Sequence, residues 1–403
     1  MKRYWKLISI VLITVLVIGT FYIQTGIAKS ELPEFDIKTI SGNEAELDRI
    51  ALLGHYGSGG LIDYLEITES GTEYASGDSF LRQLSGNYTS SEVKRLQKNY
   101  RNFMRGKNNG MGTFFENESI VAYAKLGMDS MSVSNYQPHS IDISILNKET
   151  KKETSFDISI VDDNYQSMYI YAVYVDEEMK ILTNNSYYDS QAGKERTEVH
   201  VYSIDISAEK LVNDDVILNT EDASPKTIAG IHIPGNLDET DTTNYLLKRE
   251  IHKEVSDERE SYYELTDAEL FLYDIGTNEL EPINLSNDYL MNAYPIFIND
   301  AFIYFLQEDE GELKIVIYNV ATKEVERNQT FNFSNNDPLY DSFYKIKDEK
   351  LYIINTYYKF AASGSIFIAD INTGETLFEG TIEMDNSDQQ RMSDLYIYDI
   401  EFR

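Results

Sequence analysis

The chain has 403 residues, with 68 acidic against 35 basic side chains, a formal charge of −33 and no cysteine. That balance counts against nucleic acid as a partner, since an acidic surface repels phosphate, and the missing cysteine excludes disulfides and thiol chemistry. Length alone is enough for a large core without covalent staples.

The first residues bear on the compartment. Lys2, Arg3 and Lys6 precede an uncharged apolar run from Leu7 to Ile23, the order of an export signal. The positive flank stays in the cytoplasm, so the body is expected to be extracytoplasmic. Two outcomes stay open for residues 1–28. Small residues at Gly26 and Ala28 suit cleavage after Ala28, while the run reaches the roughly 17 residues that can span a bilayer as a membrane anchor. Without residues 1–28 the chain carries 32 basic and 68 acidic groups, a net −36. Residues 29–47 read as a linker and 48–403 as one domain.

Along that domain, Tyr, Phe, Ile and Val fall in short alternating runs, as in Tyr169–Val175 and Ile303–Leu306. Such runs are half-buried strands. One unit recurs: an alternating strand, a polar turn, then a more polar strand. It reads Tyr64–Gly71, then Ile143–Thr150, Tyr202–Glu209, Leu272–Glu279, Ile317–Glu324 and Ile368–Glu375. The last apolar residues before the turns are 67, 146, 206, 275, 320 and 371. The two shortest steps match the roughly 40–50 residues of a four-stranded propeller blade, and the longer ones are the same unit with insertions.

Tyr294–Ile298, Phe302–Gln307, Leu313–Val320 and Glu324–Phe331 lay out one such blade in full. Leu395–Phe402 is a strand with no successor, and Ile50–Tyr56, Leu61–Thr68 and Thr72–Ala75 form a unit one strand short. Joining them closes a ring and removes the exposed sheet edge. The predicted fold is an all-β propeller of six blades, or seven, because residues 108–146 are hard to parse. In strand order and turn chemistry, residues 48–403 resemble bacterial extracytoplasmic β-propellers. No blade motif built on Trp or an Asp box assigns them to a family.

Residues 80–107 break the pattern. Thr89-Ser90-Ser91-Glu92 can cap a helix over 90–106. Val93, Leu96, Tyr100, Phe103 and Met104 recur at helical spacing. The cations Lys94, Arg95, Lys98, Arg101, Arg105 and Lys107 occupy the rest, which singles out the first five as candidate partner contacts. The apolar stripe is expected to pack on the propeller. A membrane-surface helix would instead expose it to lipid. A second insertion, about 236–267, is strongly acidic and reads as a loop or extended hairpin. Asp238, Glu239 and Asp241 are its first candidate contacts, since loops on a rigid scaffold often carry function.

Little points to catalysis. His55, His139, His200, His232 and His252 show no metal-ligand spacing; each reads as a strand residue, solvent-facing or with its polar needs met. Gly54–Gly60 lacks the Gly-Lys-Ser/Thr of a phosphate loop and reads as a hairpin turn. Acidic pairs such as Asp162-Asp163, Asp214-Asp215 and Asp238-Glu239 could help hold Ca²⁺, but no Asp-x-Asp-x-Asp-Gly loop is present. No cofactor is otherwise expected. The leading expectation is a non-catalytic binding or sensing module presenting loops to a protein or peptide partner in the cell envelope, with the membrane contacted only through the N-terminal segment. An exported glycan-active hydrolase or lyase and a cation-binding envelope protein are the alternatives.

Overall fold

A computed structural model of the chain describes residues 9, 11–14, 16, 19–20, 32–58, 61–77, 91–107, 112–128, 138–160, 165–220, 227–233, 243–256, 261–299, 301–309, 312–331, 342–355, 363–385 and 395–403. In chain order the first strands are β1 (Glu34–Gly42), β2 (Ile50–Ser58), β3 (Leu61–Thr68) and β4 (Gly71–Tyr74). Helix α1 (Ser91–Asn99) leads to β5 (Gly112–Glu116), β6 (Ile120–Met128), β7 (Pro138–Asn147) and β8 (Glu153–Ser159). Then come β9 (Tyr165–Val175), β10 (Met179–Asp189), β11 (Lys194–Asp205), β12 (Lys210–Asn219), β13 (Thr227–His232), β14 (Asn244–Ser256), β15 (Ser261–Asp274) and β16 (Glu279–Pro282). Helix α2 (Asn287–Asn292) precedes β17 (Ala293–Ile298), β18 (Phe302–Asp309), β19 (Glu312–Asn319) and β20 (Glu324–Phe331). The last strands are β21 (Phe343–Lys347), β22 (Lys350–Asn355), β23 (Ser363–Asp370), β24 (Thr376–Asp385) and β25 (Leu395–Phe402).

These strands form six antiparallel sheets among the described residues. Four are uninterrupted meanders, β5 to β8, β9 to β12, β13 to β16 and β17 to β20. The fifth has the order β25-β2-β3-β4, and the sixth runs β21 to β24 with β1 added at its edge. Successive up-and-down meanders of this size, one of them completed by the last strand, are the blades of a β-propeller. The chain is a β-propeller with six blades among its described residues. Strands β5, β6 and β7, within residues 112–128 and 138–147, belong to one ordinary blade and not a seventh.

By contacts the chain divides into two units, residues 1–91 with 333–403 and residues 92–332. In the first, β25 lies antiparallel to β2, from Ile50 opposite Phe402 to Tyr56 opposite Leu395. Gly54 sits at a bulge in this pairing, and a Cβ there would come within 2.5 Å of the Tyr396 carbonyl oxygen. Phe35, Leu52, Ile67, Phe378, Leu395 and Ile400 share one core between the two blades of this unit. The expected linker over 29–47 is corrected here. Its residues 34–42 are β1, paired with β24 from Glu34 opposite Asp385 to Gly42 opposite Phe378, while Leu47 is buried.

The recurring polar turn is one physical device. Asn147, Asp205, Asp274, Asn319 and Asp370 each end the third strand of a blade, and each side-chain Oδ1 accepts a backbone N–H two or three residues on. The fifth residue of the turn then takes the left-handed conformation, at Lys151, Glu209, Asn278, Lys323 and Gly374. Asx residues fit because their short side chain mimics a backbone turn. The blade with Tyr64–Gly71 differs: Thr68 opposes Gly71 directly, so a tight two-residue turn replaces the longer loop.

Helix α1 covers only 91–99 of the expected 90–106. Beyond it, turns carry on the same sense, with Met104 N donating to Tyr100 O, until Gly106 at φ 77°. Val93, Leu96, Phe103 and Met104 are buried against Phe114, Val121, Tyr123 and Leu146 of the β5–β8 blade, with Tyr100 alongside. The apolar stripe therefore packs on protein, which overturns the membrane-surface alternative for this helix. Each such side chain stabilises by about 1.5–3 kcal/mol on full burial.

The acidic insertion forms an extended hairpin where it is described. β14 and β15 pair from Asn244 opposite Asp274 to Ser256 opposite Ser261. Residues 78–90 and 234–242 lie outside the described residues. No described helix is long and apolar enough to cross a membrane, and most of the N-terminal run lies outside the described residues.

Candidate functional site

In the 92–332 unit, two Asx turns and a helix converge on a cleft. Asn117 Oδ1 accepts the N–H groups of Ser119 and Ile120, which fixes the β5–β6 turn and presents Glu118. The Asn147 turn does the same for Lys148, whose N–H donates to Ser119 O. The β9–β10 turn, tied by Asp176 N to Glu178 O, supplies Asp176. Arg95 projects from α1. The resulting cleft has a volume of about 860 Å³.

Its charged wall is centred on Glu116, which is buried. Lys148 Nζ lies 2.5 Å from Glu116 Oε1, Arg95 pairs with Oε2, and the Tyr100 hydroxyl donates to Oε1 at 2.8 Å. Burial alone would push the Glu116 carboxyl up, but these hydrogen bonds from Lys148, Arg95 and Tyr100 outweigh it and hold it below its ordinary value. Arg95 also forks onto Glu92. Both cations of the cleft are thus engaged with carboxylates of the wall.

Glu118 and Asp176 stand exposed at the rim. The floor is aromatic: Phe115 and Tyr174 meet edge-to-face with ring centroids 5.6 Å apart. An aromatic floor under an acidic rim attracts an ammonium or guanidinium group, through ring quadrupole and charge together.

Of the residues proposed from sequence, Arg95 reaches this cleft. Lys98, Arg101 and Arg105 are exposed elsewhere on the helical segment, and Lys94 is half-buried. Asp238, Glu239 and Asp241 lie outside the described residues. The cleft's own Glu116, Glu118, Lys148, Tyr174 and Asp176 escaped sequence reasoning. Only the Asn147 turn, already visible as a repeat, gave a signal.

Two further polar clusters have other work. In the β9–β12 blade, buried His200 places Nδ1 2.6 Å from Asp214 and Nε2 3.1 Å from Glu198, with the Tyr165 oxygen 2.9 Å from Nε2. Asp214 and Asp215, proposed as Ca²⁺ oxygens, are occupied here: Asp214 by His200 and Asp215 by the Asn213 amide. Asp162, Asp163, Asp238 and Glu239 lie outside the described residues. On the β13–β14 pair, Glu250 receives Lys248 at 2.8 Å and both His232 and His252 at 3.4 Å. The hydrogen bond from His232 is the main influence that, against burial and with help from Lys248, brings the Glu250 carboxyl down to about 2. Among the described residues no group of three or more His, Asp or Glu is arranged to hold a metal ion.

No protein-family model matches the chain, and no curated protein matches it. Among solved structures it is similar to an uncharacterized protein of Listeria monocytogenes, at 11% identity and TM-score 0.32, covering 67% of this chain and 65% of that one. It therefore spans just under two thirds of that protein's length. An oligogalacturonate lyase in complex with manganese is similar at 8% identity and TM-score 0.34, over 85% and 77% of the two chains. The β-propeller domain of the Trilobed protease from Pyrococcus furiosus is similar at 11% and TM-score 0.24, over 66% and 84%.

Proposed function

We propose that this chain is a non-catalytic binding β-propeller, held outside the cytoplasmic membrane, whose Glu118–Asp176 cleft takes a lysine or arginine side chain of a protein or peptide partner. The compartment rests on the basic flank and apolar run of residues 1–28. The binding role rests on one observation: the cleft's own cations are already paired with Glu116 and Glu92, so the rim carboxylates and the Phe115–Tyr174 floor face an incoming ligand. Net charge supports the same sign of partner, since a body at −36 steers cations toward it. A desolvated cation over the floor gains up to about 2 kcal/mol, and rim pairs add about 0–1 kcal/mol each.

The test is binding of a labelled Arg- and Lys-bearing peptide to the full chain. E118Q/D176N should weaken it about tenfold, for a loss near 1.4 kcal/mol, and leave the melting temperature unchanged. Equal affinity of wild type and variant overturns the assignment of the cleft. Depolymerisation of a polysaccharide by the full chain, lost in the same variant, would replace binding with catalysis.

A further inference from the structure

A second cavity, of about 540 Å³, adjoins the Glu118–Asp176 cleft and shares Asn117, Val175 and Asp176 with it. It follows the seam between the β5–β8 and β9–β12 blades. Its floor is aliphatic: Ile145 and Val175 belong to the core between these blades, and Ile120 and Ile206 pack at the edge of that core. Ile206 follows the turn residue Asp205 and is only half-buried. Ile275, which follows Asp274 at the same place in the next blade, is wholly buried.

The next seam carries a lysine at this place. There Lys180 of the β9–β12 blade reaches the β13–β16 blade, and its Nζ donates to Ile275 O at 2.8 Å and Gly276 O at 2.9 Å. Lys180 stands opposite Ser203, two residues before Asp205. The equivalent place in the β5–β8 blade, opposite Ile145 and two residues before Asn147, belongs to Ala122. Alanine has neither the stem nor the ammonium, so this blade cannot supply the side chain that its neighbour supplies.

We propose that the seam cavity takes a lysine side chain of the partner, in the place that Lys180 fills at the next seam. This rests on the reading of the cleft given above and adds a second subsite to it. The methylene stem lies along the isoleucine floor while the charged head stays at the wet rim. The ammonium meets the carbonyls of Ile206 and Ser207, the counterparts of Ile275 and Gly276, and Asp176 attracts it from the wall shared with the cleft. A compact ammonium with three donors suits this pair of carbonyls better than a planar guanidinium fork. In an extended peptide, residues two apart project on one side at a spacing of about 6.5–7 Å, so the two subsites together read Lys-x-Lys. Lys152 also lines the cavity and is exposed. Its charge opposes a second cation, which makes the sign of the occupant testable.

The probe is a labelled Gly-Lys-Ala-Lys-Gly peptide, blocked at both ends and titrated with the full chain. Alanine in place of either lysine should cost about tenfold, and norleucine, which keeps the stem, should cost less than alanine but not nothing. A122K copies the next seam within the chain and should bind the two-lysine peptide no better than the alanine peptide. Because Ala122 is buried, I206S repeats the test from the edge of the core and should narrow the same difference. K152Q should tighten the two-lysine peptide. Weaker binding by K152Q would mark an anion as the occupant and overturn the proposal. It is equally overturned if alanine or norleucine serves wild type as well as lysine does. The cleft reading fails separately, if E118Q/D176N binds the single-lysine peptide as tightly as wild type.

Discussion

His200 shows what a single buried residue does to this fold. Its imidazole stacks on the Tyr202 ring at an interplanar angle of 12° and faces Asp214, Glu198 and Tyr165, with Tyr187 on the other oxygen of Glu198. Burial opposes the imidazolium, but hydrogen bonds to Asp214 and Glu198 overcome it and raise the group to about 9. In the unfolded chain a histidine releases its proton near 6.5. The folded state therefore binds the extra proton, and this contribution to stability is complete below about pH 6.5 and gone above about pH 9. Its size is on the order of 3 kcal/mol. Melting temperatures of wild type should fall between pH 6.5 and 9 relative to those of H200Q, which has no such titration. Parallel curves for the two proteins would show that His200 stays neutral. From sequence, His200 read as a strand residue that was solvent-facing or satisfied. Burial among two carboxylates is not legible there, because Tyr165 and Asp214 come from β9 and β12, strands other than the β11 that carries both His200 and Glu198.

At the scale of elements, what was local was legible and what was not local was missed. The Asx turn is written in five consecutive residues, so its recurrence fixed the blade boundaries: the expected Glu324–Phe331 and Phe302–Gln307 strands match β20 and all but the end of β18. Strand β1 reads as linker in the sequence because its partner β24 lies over 330 residues away, and most of its residues are half-buried or exposed. The cleft was hidden for the same reason, since Glu116, Lys148 and Tyr174 sit on separate turns and strands. The turns permit a direct check. Asp370 Oδ1 accepts from Asn372 N, Thr373 N and the Thr373 hydroxyl, so D370A should cost about 1 kcal/mol. Lys151 holds φ 57°, where a side chain is disfavoured, and K151G should be neutral or slightly stabilising. Chemical denaturation of both variants measures this pair of opposite signs. If D370A melts like wild type, the side-chain bonds are incidental to the turn.

For the molecule as a whole, the strand that decides is the last one. β25 gives Leu395, Ile397 and Ile400 to the core shared by the two blades of its unit. It also carries Asp399, buried and 2.6 Å from Lys345 Nζ, which in turn lies 5.7 Å from the Phe402 ring centroid. Lys345 sits on β21, so this ion pair ties the first strand of one blade to the first strand of the next. Removing Leu395–Arg403 would strip β2 of its pairing from Ile50 to Tyr56, remove the carboxylate that Lys345 pairs with and open a sheet edge that invites association. The three apolar side chains of β25 alone cost about 2–5 kcal/mol each if treated as truncations to Ala, on the scale of the ordinary stability of about 5–15 kcal/mol. The truncated chain should therefore lose its cooperative calorimetric transition and aggregate. D399N in the full-length chain should keep the transition at a lower temperature, because pairing and core survive and only the charge is lost. A truncated chain that melts at the wild-type temperature would mean that β25 adds nothing to the blade it completes.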